Sequence, residues 1–144
     1  MDAREFFPIA ERLMNSANEA ERRTSAGRSY YGLFHVLLAA LSARGVIFRQ
    51  TPDDHQTLIS YLTKAGNKEA ALVGSALKDL RQDRNRADYQ LADVFSARTS
   101  EFAYQKAKRA LGQFESVPPD EVATIIRNIQ AFARTQHGAE MGVK

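Results

Sequence analysis

The chain contains no cysteine, so disulfides and thiolate metal sites are excluded. Its three histidines, His35, His55 and His137, are too scattered to argue for zinc. There is no His-x-x-x-His or Glu-x-x-His pair, no glycine-rich phosphate loop and no nucleophile elbow. The common motifs for metal, phosphate-loop and serine-nucleophile chemistry are thus missing. Long apolar runs are missing too. The longest, residues 33–41, includes His35 and is far too short to span a bilayer. Met1-Asp2-Ala3-Arg4-Glu5 offers no apolar signal core. The expectation is a reduced, cytoplasmic setting with no membrane association. An excess of one charge sign is nearly absent: Lys and Arg outnumber Asp and Glu by 20 to 17, which permits nucleic-acid binding without arguing for it.

What is present is helical rhythm. At 144 residues with 44% apolar side chains, the chain can bury the core of one domain. No segment shows convincing strand alternation, and no repeat or long linker divides the chain. A first helix is expected near Pro8, with Phe6, Ala10, Leu13 and Ala17 inward. A second is expected from Thr24 or Ser25 to Gly45, with Tyr30, Leu33, Phe34, Leu37, Leu38 and Leu41 as its stripe. Thr51-Pro52-Asp53-Asp54 signals a third helix, with Leu58, Ile59 and Leu62 inward, ending at Gly66. Asn67 caps a fourth that runs toward Tyr89. After a loop at 91–97, Thr99 or Ser100 opens a fifth, burying Ala103, Ala107, Ala110, Leu111 and Phe114. Pro118-Pro119 breaks the chain before a sixth, about 119–136, carrying Val122, Ile125, Ile126, Ile129 and Ala133. Residues 137–144 read as a flexible tail. Short connections predict an all-α antiparallel bundle of five to six helices.

Two polar clusters interrupt this pattern. In the fourth helix the stripe Val73, Ala76, Leu77, Leu80, carried forward, lands on Arg84 and Asp88. Charges at such positions are costly unless paired. One reading is an i,i+4 ion pair that locks the bundle end. The other is an anion site of Arg81, Arg84 and Arg86, with Asn85 and Tyr89 as hydrogen-bonding partners, since guanidinium groups match phosphate geometry. In the second helix Arg28 and His35 fall about 140–160° from Tyr30 around the axis. Tyr31 flanks them, and Gly32 on the same side allows a close approach. That face is either solvated, with Arg28 paired to Glu19 or Glu21, or a groove or oligomer contact. His55, three residues before Leu58, reads as a helix-packing histidine.

Together these segments resemble a known family. Ser25-Ala26-Gly27-Arg28-Ser29-Tyr30-Tyr31-Gly32-Leu33-Phe34-His35 resembles the S-x-x-R-A-Y-Y-A-x-F-H helix of bacterial HEPN proteins (higher eukaryotes and prokaryotes nucleotide-binding). Arg84-Asn85-Arg86-Ala87-Asp88-Tyr89 resembles the R-x-x-A-D-Y helix of the same branch. The resemblance covers roughly residues 6–114, with the sixth helix as an addition.

It implies a single HEPN-like domain, commonly a homodimer, of a toxin–antitoxin, phage-defence or RNA-processing system. Many members are metal-independent endoribonucleases whose signature is an arginine, a polar residue and a histidine four to six residues beyond the arginine. No cofactor is implied. By position, Arg84 matches the arginine and Asn85 the polar residue, while Tyr89 stands where the histidine is usual. With an ordinary pKa of about 10, a tyrosine is a poor base near neutrality. Arg28 and His35 lie on the earlier helix and are not that signature, but His35 is a candidate for the missing imidazole. The expected catalytic set is therefore Arg84, Asn85, Tyr89 and His35, with Arg28, Tyr31, Arg81 and Asp88 holding phosphate or nucleotide, and no metal. The alternative is a non-catalytic module that binds a nucleotide or docks a nucleotidyltransferase-type antitoxin partner, with Tyr89 as an acceptor for nucleotidylation.

Overall fold

A computed structural model describes residues 1–140, with side chains described through 136. Among these the chain is all helical: a 3₁₀ turn at Ala3–Glu5, then α1 (Phe6–Leu13), α2 (Glu19–Ser42), α3 (Asp54–Thr63), α4 (Lys68–Tyr89), α5 (Ala97–Glu115) and α6 (Pro119–Glu140). The backbone of α6 thus stays helical four residues past the expected end at 136. Residues 141–144 of the expected flexible tail lie outside the described residues. Among the described residues, no helix is long and apolar enough to cross a membrane.

The long helix α2 is the axis of the bundle, with α1, α4 and α5 packed around it. Ala26, Tyr30, Leu33, Leu37 and Leu41, at helical spacing, are fully buried. The helix starts earlier than Thr24. Asn18 is the N-cap, its side chain accepting from the amides of Ala20 and Glu21, with Glu19 and Glu21 in the favourable first turn. At the other end Gly45 (φ +95°) adopts the left-handed conformation that glycine tolerates. Val46 N–H donates to Leu41 C=O and Gly45 N–H to Ser42 C=O, the two bonds of a Schellman stop.

The other caps follow from local chemistry. Asn67 accepts from Ala70 N–H to open α4, and Ser96 accepts from Thr99 N–H to open α5. The buried Asp54 carboxylate accepts from the amides of Arg49 and Gln50, tying the α2–α3 loop to the start of α3. Helix α6 contributes Val122, Ile125, Ile126 and Ile129 to the same hydrophobic cluster as the other helices, and Asn128 donates to Ala65 C=O at the α3–α4 turn.

Several expectations are corrected: α3 begins at Asp54 rather than at Thr51-Pro52, and α5 begins at Ala97 behind the Ser96 cap rather than at Thr99 or Ser100. Phe7, rather than Phe6, points into the core from α1, while Phe6 is half-exposed and Ala17 is exposed. The α4 stripe does not continue onto Asp88: Ala87 is 2% exposed and Asp88 is exposed. From Val73 through Leu80 to Ala87 the buried row steps by seven residues, so Arg84 lies at its edge and Asp88 falls outside it.

Candidate functional site

The site grows from Gly32. A Cβ there would stand 3.0 Å from the Phe7 ring and 3.4 Å from Phe6 Cβ. The missing side chain lets α1 lie close against α2, which fixes Phe6 beside the α2 residues Arg28, Tyr31 and His35. Helix α4 approaches the same surface and brings Arg84.

Tyr31 is the hub. The Arg28 guanidinium lies 5.6 Å from its ring centroid and the Arg84 guanidinium 5.3 Å from it. His35 stacks on the same ring at 6.0 Å, and His55 meets it edge-on at 6.1 Å. Arg28 also sits 5.1 Å from the Phe6 ring. Two cations from two helices therefore converge on one aromatic side chain, a geometry that favours each of them through the ring's quadrupole.

The two guanidinium groups differ in their partners. Arg84 Nε stands 3.0 Å from Asp88 Oδ2, and Arg84 Nη1 donates to Asn85 Oδ1 at 3.0 Å. The Nε contact has ion-pair distance without hydrogen-bond alignment, so its attraction is coulombic. The ion pair and the cluster thus coexist at Arg84. Arg28, in contrast, has neither ion pair nor hydrogen bond among the described residues, and its Nε is shielded from solvent without a partner. Glu19 and Glu21 are taken up elsewhere: Glu19 by Arg23 and Phe95 N–H, Glu21 by the Ser16 hydroxyl. Arg28 does not pair with either. Arg81 is half-buried one turn before Arg84 on α4, close enough to act electrostatically on Tyr30 and His55.

Beneath this surface, Tyr30 Oη hydrogen-bonds His55 Nδ1, and His55 stacks on Phe34 at 4.2 Å with 15° between the planes. His55 is a packing histidine. Burial, reinforced by the nearby Arg81 and Arg84, pushes its pKa below the ordinary value. Desolvation likewise lowers that of His35, which remains exposed. Burial raises the Tyr30 phenol far above its usual range. Both shifts favour the neutral imidazole, and at His55 the positive charge of Arg81 and Arg84 adds to that preference.

Among the expected site residues, the structure brings together Arg28, Tyr31, His35 and Arg84, with Asn85 and Asp88 attached through Arg84. It does not bring Tyr89 to them. That side chain is 74% exposed at the last residue of a regular helix, because five residues carry it about 140° around the axis from Arg84.

One important residue gives no motif signal. Arg23 is 8% exposed and donates to the carbonyls of Arg86, Ala87, Gln90 and Asp93, with Glu19 as its counter-ion. These are carbonyls of the last turn of α4 and of the loop that follows it, where a helix end leaves acceptors short of amide partners. The guanidinium also lies 5.3 Å from the Phe95 ring. Glu19 in turn accepts from Phe95 N–H, which holds its carboxyl below the usual carboxylate range. Arg23 thereby holds the C-terminal turn of α4, the segment that includes Asn85 and Asp88. Its carbonyl partners lie 63 to 70 residues away in the chain, so only its i,i+4 spacing from Glu19 was visible in sequence.

Beside Phe6 and His35 the surface opens into a concavity of about 670 Å³, lined also by Val36, Ala39 and Ala40 of α2 and by Asp2 and Arg4. No cluster of three or more His, Asp or Glu side chains that could hold a metal ion is found among the described residues. Comparison with known proteins gives no match to a family model, a curated protein or a solved structure.

Proposed function

We propose that this protein acts on RNA as a HEPN-type component of a toxin–antitoxin or phage-defence system, with Arg28 and Arg84 gripping a backbone phosphate. The observation that supports this reading is the meeting of the two guanidinium groups on Tyr31, one of them with no carboxylate to neutralise it. Guanidinium forks suit phosphoryl oxygens. The resemblance of both helices to the HEPN pair points the same way, and a homodimer would double the site.

The reaction that suits these groups is transesterification. The ribose 2′-oxygen bonds to the adjacent phosphorus while the bond from phosphorus to the 5′-oxygen breaks, leaving a 2′,3′-cyclic phosphate. His35, whose neutral form desolvation favours, takes the 2′-hydroxyl proton. The departing 5′-oxygen takes a proton from water or from a second imidazole. Arg28 and Arg84 offset the charge that builds on the phosphoryl oxygens. Incubating the protein with RNA in EDTA tests this. Cyclic-phosphate ends that disappear in Arg84→Ala are the expected result. Equal cleavage of DNA, which lacks the attacking hydroxyl, overturns it.

A second reading rests on Tyr89. Its hydroxyl, 74% exposed at a helix end, is open to modification, which favours a non-catalytic module regulated by a nucleotidyltransferase partner. Intact-mass measurement after incubation with such a partner and ATP tests it. An unchanged mass for the Tyr89 peptide counts against it.

A further inference from the structure

The geometry points to the concavity beside His35 as a nucleobase subsite, receiving the base of the nucleotide whose phosphate lies on Arg28 and Arg84. This rests on the anion-site reading above and extends it to the part of the ligand that lies beyond the phosphate.

Three observations carry it. First, the concavity and the guanidinium pair share two side chains. Phe6 is a wall of the concavity and also the second ring against which Arg28 lies, at 5.1 Å. His35 is a wall of the concavity and stacks on Tyr31, which both guanidinium groups touch. A ligand that follows these two rings passes directly from cations to hollow. Second, the walls have the chemistry of a base site. Phe6 and His35 stand 6.4 Å apart at 36° and offer flat faces for stacking, and Val36, Ala39 and Ala40 add apolar lining. Small-molecule sites of this kind are concave, mostly apolar, and oriented by a few polar groups. Third, Asp2 and Arg4 supply those polar groups. Asp2 accepts the Arg4 amide through Oδ1 at 2.9 Å, and its carboxylate and the Arg4 guanidinium border the hollow. The Arg4 guanidinium lies 3.9 Å from Asp2 Oδ1 and 3.7 Å from Glu115 Oε2, contacts between half-exposed side chains, which leave the second Asp2 oxygen and further Arg4 donors for the edge of a base. Stacking on protein rings contributes per base what single alanine substitutions detect as several-fold to hundred-fold changes in affinity.

The test compares adenosine 5′-monophosphate with ribose 5-phosphate, which has the phosphate and sugar but no base. Binding to the full-length chain is followed by amide chemical shifts. The expected result is at least about fivefold tighter binding of the nucleotide, with shifts at Val36 and Ala39. Ala39→Trp fills the hollow from an exposed position and should remove that advantage while leaving ribose 5-phosphate affinity and the melting temperature unchanged. Equal affinity of the two ligands, or full retention of the difference in Ala39→Trp, overturns the base subsite and leaves the anion site standing. Binding of neither ligand, or binding unaffected by Arg28→Ala and Arg84→Ala, overturns both.

Discussion

Arg23 and Arg28 lie on the same helix, about 140° apart around its axis, and differ in role as well as in position. Arg23 is buried and its donors go to four backbone carbonyls and one carboxylate. Arg28 sits between two aromatic rings with no hydrogen bond among the described residues. Both are arginines in a mostly buried helix, yet one has spent its hydrogen-bonding capacity on the fold and the other has kept it. A guanidinium whose terminal nitrogens are taken up by backbone carbonyls holds structure, and one whose donors are unused is available to a ligand.

The largest expected effect breaks the first half of that contrast. Arg23→Ala leaves the end of α4 with unsatisfied carbonyls and Glu19 without its counter-ion, and should cost about 3 kcal/mol or more of folding stability in urea denaturation. Arg23→Lys should recover only part of this, because an ammonium cannot reproduce the planar fork. Next in size is Tyr30→Phe. It removes the partner of His55 Nδ1 inside the bundle and should cost about 1–2 kcal/mol, read by the same denaturation. Arg28→Ala should change stability by less than about 1 kcal/mol, the scale of a cation–π contact near the surface. It should nevertheless weaken RNA binding, and reduce the slope of log affinity against log salt by about 1.

The smallest effect is a pH dependence. His35 and His55 have folded-state pKa values below the ordinary 6.5. As pH falls below about 6.5 the unfolded chain takes up protons that the folded chain refuses. Stability is therefore full above that pH and declines beneath it, down to the folded pKa values. His55→Gln should flatten the decline in a melting-temperature series. An undiminished acid slope in that variant would place its cause elsewhere.

The helices were legible because their apolar spacing is regular and their stops are chemically explicit: Asn67 and Gly45 do in the structure what such residues do locally. The start of α2 was less legible. Its first turn, Glu19 to Arg22, is polar, so the periodic signal begins only where the core does, and Asn18 gives the cap without a stripe behind it. Of the site, the pairing of Arg84 with Asp88 was legible at i,i+4, and so was the placing of Arg28, Tyr31, Gly32 and His35 on one face. What periodicity does not contain is which helix covers that face. The approach of α1 over Gly32 and the arrival of Arg84 at Tyr31 are tertiary facts. The Arg23 clamp was illegible for the same reason, since its acceptors are backbone atoms of the distant end of α4 and the loop after it.

The proposed phosphate site requires Arg28 and Arg84 to act together. The most direct measurement is a double-mutant cycle for binding of a short single-stranded RNA at fixed salt, using Arg28→Ala, Arg84→Ala and the double variant. A shared phosphate predicts that either substitution alone removes most of the affinity and that the second adds little, a non-additivity beyond about 0.5 kcal/mol. Strictly additive losses, or RNA affinity untouched by both substitutions, would contradict it.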